Sequence, residues 1–230
     1  DNKLVRANVG VLWCRIHLSG EPVHTRVANS GVSAIDEAYH IMSALRDLAK
    51  EWNEQKYKHQ YFREVESPIN VVFGQIRGGD WASMVPAWCW FDVRIAIYPG
   101  TKASDAAVEI ESCIARASLS NSIPTLSPPK IEYTGFFAEG YVLEEGSLAE
   151  KTLSNAHHKS FGSELESFVT PGYLDGRVFV LYDNCPCLVY GPYSENIHGI
   201  DERVSLSSIK KITGSIALFI AEWCNLEKIK

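Results

Sequence analysis

The chain has 230 residues, 46% hydrophobic and 22% charged, with a formal net charge of -6. That length can bury a sizeable core as one large or two small domains, and the composition is that of an ordinary globular protein. The acidic balance argues against a nucleic-acid or polyanion binder, no apolar run approaches the ~20 residues that span a bilayer, and no signal peptide opens the sequence.

Val9 to Ser19 is β-rich and partly alternating and is ended by Gly20 and Pro22, so a strand is expected there with His17 at a solvent-facing position. The loop Gly20 to Gly31 follows. Ala34–Trp52 then sets Ile35, Ala38, Ile41, Leu45 and Leu48 at helical spacing, a core stripe. Lys50 to Glu66 is charged and aromatic and reads as a solvated connector in which His59 does no chemistry. Strands are expected at Ile69–Ile76 and Ala87–Tyr98 around the turn Gly78-Gly79-Asp80. A helix is expected from Ser104 to about Ser118 and a further strand at Lys130–Phe137. This β-α-β-β-α-β order predicts a ferredoxin-like sandwich, a four-stranded antiparallel sheet with two helices on one face.

After Ala138 helices and strands alternate: helix Ser147–Phe161, strand Glu166–Thr170, a turn through Pro171-Gly172, short helix Asp175–Tyr182, strand Pro186–Tyr190 and helix Leu206–Trp223. That alternation belongs to a parallel-type α/β layer. Two short strands make no such sheet alone, so residues 138–230 read as the end of a larger domain and 1–137 as a domain of their own. The fold class is therefore α+β followed by part of an α/β domain.

The six cysteines (Cys14, Cys89, Cys113, Cys185, Cys187, Cys224) lie in apolar runs, and Cys185-Pro186-Cys187 is too tight for a C-x-x-C zinc pair. They are expected to be reduced, buried thiols of a cytoplasmic protein.

Four stretches carry candidate chemistry. In the first, Tyr190-Gly191-Pro192 breaks a short strand and leads to His198-Gly199-Ile200-Asp201-Glu202, which puts a histidine at the carboxyl edge of a strand, where ligands collect in open α/β sheets. A solvated turn residue is the alternative. In the second, Gly20-Glu21-Pro22-Val23-His24 places a histidine before Gly31-Val32-Ser33-Ala34 and the first helix. In the third, Arg94 of Phe91-Asp92-Val93-Arg94 either pairs with an acid such as Asp92 or a cross-strand Glu, or grips a substrate carboxylate in bidentate fashion. In the fourth, Thr170-Pro171-Gly172-Tyr173-Leu174-Asp175-Gly176-Arg177 offers backbone N–H groups and a guanidinium to an anion, although Asp175 also suits a helix cap.

Together these stretches resemble the zinc-dependent exopeptidase and deacylase family of acetylornithine deacetylase, succinyl-diaminopimelate desuccinylase, glutamate carboxypeptidase and aminoacylase. The resemblance implies a lid and dimerisation domain over 1–137 and the C-terminal segment of a catalytic α/β domain over 138–230. It implies His198 as a metal ligand, and His24 as the catalytic residue that steadies an oxyanion in the partner subunit of a homodimer. It implies Arg94, the Ser83 position, Gly172 and Arg177 as substrate-binding. Ser83 stands where the family has Asn, Ser33 departs from the family's Asn at the start of the helix, and Tyr173-Leu174 replaces small hydroxyl residues, so substrate preference is expected to differ.

The implied activity is a metal-dependent amidohydrolase acting on an N-acyl amino acid or small peptide, with a metal-bound hydroxide attacking the amide carbon. The implied cofactor is zinc, two ions in the complete enzyme, with cobalt as an alternative metal. No nucleic-acid or membrane partner is expected. A two-zinc site also needs a first His, a bridging Asp and a Glu-Glu pair. No H-x-D occurs, Glu144-Glu145 reads as helix-start electrostatics, and adjacent His157-His158 point ~100° apart on a helix. The stretch is thus expected to hold no zinc tightly by itself, and its alternative reading is a non-catalytic dimerisation and substrate-gripping fragment.

Overall fold

The computed structural model describes residues 2–120 and 126–226. The chain divides into two compact units, Val9–Gly140 with Pro171–Tyr173, and Asp1–Asn8 with Tyr141–Thr170 and Leu174–Lys230.

The chain enters through β1 (Leu4–Asn8), which belongs to the second unit. The first unit, the sandwich, then runs β2 (Gly10–Ser19), α1 (Ala34–Glu54), β3 (Val71–Gly78), β4 (Trp88–Ile97), α2 (Ala103–Ser120) and β5 (Lys130–Ala138). Its sheet has the order β3-β4-β2-β5 with every pair antiparallel, the β-α-β-β-α-β sandwich that the element order predicts. Alternation decides which side chains are covered. Leu12, Cys14, Ile16 and Leu18 of β2 and Cys89, Phe91, Val93 and Ile95 of β4 meet the stripes of α1 and α2 in one core. The residues between them, Trp13, Arg15 and His17 on β2 and Trp90, Asp92 and Arg94 on β4, form the opposite, open face. Ser33 caps α1 by accepting from Asp36 N.

The stretch after α1 departs from a solvated connector. It winds through two 3₁₀ turns, Lys56–Lys58 and Gln60–Phe62, buries Phe62, and stacks the His59 ring on Tyr98 at 3.7 Å. Burial pushes the Tyr98 hydroxyl up to about 12.

The second unit continues with β6 (Tyr141–Val142), α3 (Leu148–Phe161), β7 (Ser167–Thr170), α4 (Arg177–Tyr182), β8 (Ser194–Glu195), β9 (Arg203–Val204) and α5 (Leu206–Trp223). Its three-stranded sheet has the order β6-β1-β7, with β1 and β7 parallel. The central strand is therefore Leu4–Asn8, which a division at residue 137 puts in the wrong unit. Its buried Arg6 pairs with Glu150 and donates to Leu143 O, and Asn8 accepts from Tyr141 N. Pro186–Tyr190 is not a strand but touches β1 at one bridge, Leu4 with Tyr190, and through Val5 N donating to Val189 O. All six cysteines are free thiols, yet only Cys14, Cys89 and Cys113 are buried, while Cys185 and Cys224 are exposed. No helix among the described residues is long and apolar enough to cross a membrane.

Candidate functional site

In the sandwich unit, the loop that carries His24 is clamped between two other segments. Gly20 N donates to Ala87 O, Glu21 and Val32 exchange both backbone bonds, Val85 N donates to Val23 O, and Thr25 N reaches Ser83 O at 3.4 Å. Gly20 is required for this approach, because a Cβ there would lie 2.2 Å from Val32 O and 2.3 Å from Pro86 O. The clamp ends in a bridge between His24 and Met84, with Ser83 one step on, opposite Thr25.

His24 is exposed, and its Nδ1 accepts the backbone N–H of Arg26 at 3.0 Å, capping the 3₁₀ turn Thr25–Ser30. A nitrogen that accepts carries no proton, so the ring proton sits on Nε2 and points a donor away from the turn.

Arg94 lies on the open face, half-buried, directly opposite Trp13 of β2 and Val72 of β3. The structure removes one reading of this residue. Asp92 is engaged by Arg15 through two bonds, Nε to Oδ1 at 2.7 Å and Nη2 to Oδ2 at 2.8 Å, with the Arg15 guanidinium 3.8 Å over the Trp90 ring. That pairing holds the Asp92 carboxyl below the usual carboxylate range. Arg94 Nη2 reaches only a carbonyl, Pro171 O, at 3.5 Å, and no described carboxylate lies within ion-pair distance. Burial therefore lowers the Arg94 pKa with nothing to offset it. A half-buried guanidinium facing no acid is suited to binding an incoming anion.

Gly172 lies in the Pro171–Tyr173 segment, which folds with the sandwich. Arg177 and His198 belong to the second unit. Arg177 opens α4 and donates from Nη1 to the Tyr182 hydroxyl at 3.0 Å. His198 is exposed in a tight turn with φ +61°, flanked by Asn196 at +55° and Asp201 at +59°, while Gly199 N donates to Asn196 O. Among the described residues no group of three His, Cys, Asp or Glu is placed to hold a metal ion. A zinc site needs at least three protein ligands, so these residues do not by themselves fit one.

Sequence reasoning passed over Trp13, the neighbour of Arg94. The alternation along β2 that hides Leu12 and Cys14 also turns Trp13 outward beside the guanidinium, a signal that was present in the strand.

A family model described as a peptidase dimerisation domain matches residues 6–121. Among curated relatives, N-formyl-4-amino-5-aminomethyl-2-methylpyrimidine deformylase of Halalkalibacterium halodurans is 24% identical over 215 residues, covering 90% of this chain and 49% of its own. Acetylornithine deacetylase of Erwinia tasmaniensis is 29% identical over 231 residues, covering 97% and 55%. The chain thus spans about half the length of the curated relatives it matches. Among solved structures, an M20 family metallo-carboxypeptidase from Sulfolobus solfataricus has the same fold, with a TM-score of 0.72 at 15% identity over 97% of this chain and 60% of that one.

Proposed function

The chain belongs to the M20 peptidase dimerisation-domain family, and from that premise we propose that it serves a metal-dependent amidohydrolase cleaving the amide of an N-acyl amino acid or small peptide. The observation that carries the reading is Arg94, a half-buried cation on an open face whose neighbouring acid is already taken by Arg15. Arg94 holds the substrate carboxylate, and backbone N–H groups around Gly172, in the same unit, add to that grip. Ser83 offers a shorter side chain than an amide would at the same edge. His24 donates from Nε2 to the oxygen that gains negative charge as the amide carbon becomes tetrahedral, and one such donor contributes ~3 kcal/mol or more. The cap on Nδ1 supports this role, because it fixes the tautomer before substrate arrives.

The metal in this proposal is zinc, two ions in the complete enzyme, with cobalt as an alternative. His198 supplies one ligand, and the others come from residues outside those described. The sandwich dimerises with a second copy through the edge strands β3 and β5, whose outer backbone groups are available for pairing. Residues 1–137 in this reading are the lid and 138–230 the catalytic segment, except that residues 1–8 group with the second unit and residues 138–140 and 171–173 with the sandwich. The substrate is a small molecule, with no nucleic acid or membrane as partner. A cytoplasmic location is supported by six free thiols, three of them buried.

A second reading, a non-catalytic dimerisation and substrate-gripping fragment, is supported by the finding that no metal-holding group lies among the described residues.

The test uses the full-length protein. His24→Ala should lower kcat by ~100-fold with little change in KM, whereas His198→Ala should lower metal content and activity together. Co-refolding the two inactive variants should restore activity in heterodimers that join His24 of one chain with His198 of the other. Proven heterodimers as inactive as either variant would remove His24 from the partner's site. Stoichiometric, chelator-resistant zinc in the 230-residue chain would remove the fragment reading.

A further inference from the structure

We propose that the open face beside Arg94 selects a substrate with a flat aromatic ring next to its carboxylate, and that the Trp13 indole is the surface on which the ring packs. The proposal rests on the amidohydrolase reading above and names the substrate class of the same site.

Trp13 and Arg94 are directly opposed residues of β2 and β4 and project on the same open face. Opposed side chains leave the sheet ~5 Å apart, a span comparable to that between the carboxylate and the ring of an aromatic amino acid. Trp13 is 41% exposed, a large apolar area to leave in water on a strand whose alternate residues form the core.

The indole is also held in position. The register of β2 with β5 shifts between Leu12 and Cys14, opposite Gly135, and the Trp13 ring lies against that glycine. A Cβ at Gly135 would stand 2.5 Å from Trp13 Cε3 and 3.1 Å from Cδ2, so only glycine leaves room for the ring there. Phe136 meets the indole edge-on at 5.1 Å with an interplanar angle of 86°, and Tyr173 lies 4.5 Å beyond Phe136. Tyr173 is two residues from Pro171, whose carbonyl faces Arg94. Trp13 thus stands directly across from a guanidinium that faces no acid, and Phe136 and Tyr173 extend the aromatic surface from its edge. The cation calls for an anion and the rings call for a flat apolar group, and an N-acyl aromatic amino acid supplies both.

The experiment compares N-acetyl-L-phenylalanine with N-acetyl-L-alanine as substrates of the full-length, zinc-loaded protein. In parallel, calorimetry compares binding of 3-phenylpropionate with that of propionate. Wild type should favour each aromatic ligand at least tenfold. Trp13→Ala should remove that preference through KM and Kd, leaving the alanine substrate within twofold. Gly135→Ala keeps the indole but displaces it, so it should weaken the aromatic ligands alone and mark Gly135 as a positioning residue. Equal turnover of both substrates by wild type, or equal losses on both in the variants together with a weakened dimer, would overturn the proposal. Ring binding that depends on Trp13 and Arg94 with neither substrate cleaved would keep the aromatic surface and sink the amidohydrolase reading. Turnover of both substrates without ring preference would do the reverse.

Discussion

The sandwich and the second unit are built from similar numbers of helices and strands, but they bury their apolar residues to different degrees. In the sandwich, α1, α2 and the inner side of the sheet close over one continuous core. In the second unit a smaller buried cluster joins Leu4, Tyr141, Leu143 and Leu153. Its helix α5 is amphipathic, yet the apolar second half exposes Ile216, Leu218, Ile220 and Trp223, and α4 exposes Phe179 and Leu181. A groove of about 600 Å³, lined by Leu153, Phe179, Leu188, Ile216, Phe219 and Trp223, runs through that unit. An amphipathic helix ordinarily turns its apolar stripe to a core and its polar residues to water. Periodicity thus identifies α5 as a helix, but it does not say that the partner for its apolar surface lies in the same stretch of chain.

The difference is sharpest in stability. Phe91, wholly buried in the sandwich core, should cost about 3–5 kcal/mol when replaced by alanine, whereas Phe219→Ala at the groove should cost about 1 kcal/mol or less. Denaturant unfolding of the two variants measures this, and equal losses would erase the distinction between a closed and an open core.

A smaller effect separates the two faces of the sandwich sheet. Arg94→Met should lower kcat/KM by ~100-fold, chiefly through KM, while leaving the unfolding midpoint unchanged or slightly raised, because a desolvated cation with no acid partner adds little to stability. A large drop in stability with KM intact would make Arg94 a structural residue like Arg15.

The smallest effect belongs to the second unit. His157 is buried, stacked on Phe161, and 2.7 Å from the Tyr190 hydroxyl, which donates on to Ser215. Burial and the neighbouring His158 lower its pKa, with Glu164 opposing them. A histidine with a depressed folded pKa contributes its full stability above its unfolded value near ~6.5 and loses it as pH falls through the folded one. Thermal unfolding of this unit should therefore shift downward between pH 7.5 and 5.5 (about one unit either side of ~6.5). His157→Gln should flatten that shift, and an unchanged slope would assign the acid sensitivity elsewhere.

The sandwich was legible in the sequence because β2 alternates over Cys14–Ser19, β4 over Phe91–Ile95, and α1 repeats at helical spacing, so each element announces which face it buries. Leu4–Asn8 was not, because all five residues are covered and the strand shows no alternation. Its Arg6 and Asn8 look solvent-facing until Glu150 and Tyr141 N, distant in the chain, are placed against them. The stretch after α1 misleads in the same way, since its charges conceal a buried Phe62 and a stacked His59. Among the candidate residues, sequence alone picked out His24 and Arg94 but not what surrounds them. Pairing of Val23 with Val85 sets His24 against Met84, and only the β2–β4 register shows that Arg15 has claimed Asp92.

The clamp at Gly20 bears on how such a protein can diversify. Because three backbone segments meet where that residue has no side chain, the stretches around residues 20–34 and 83–87 form one rigid piece. Lengthening either of them by a residue would shift His24 relative to Ser83, so insertions in one should survive only with a matching change in the other. On the proposed function, variation in what the protein acts on is then channelled into side chains on fixed backbone, as at Ser83 and Trp13, rather than into loop length.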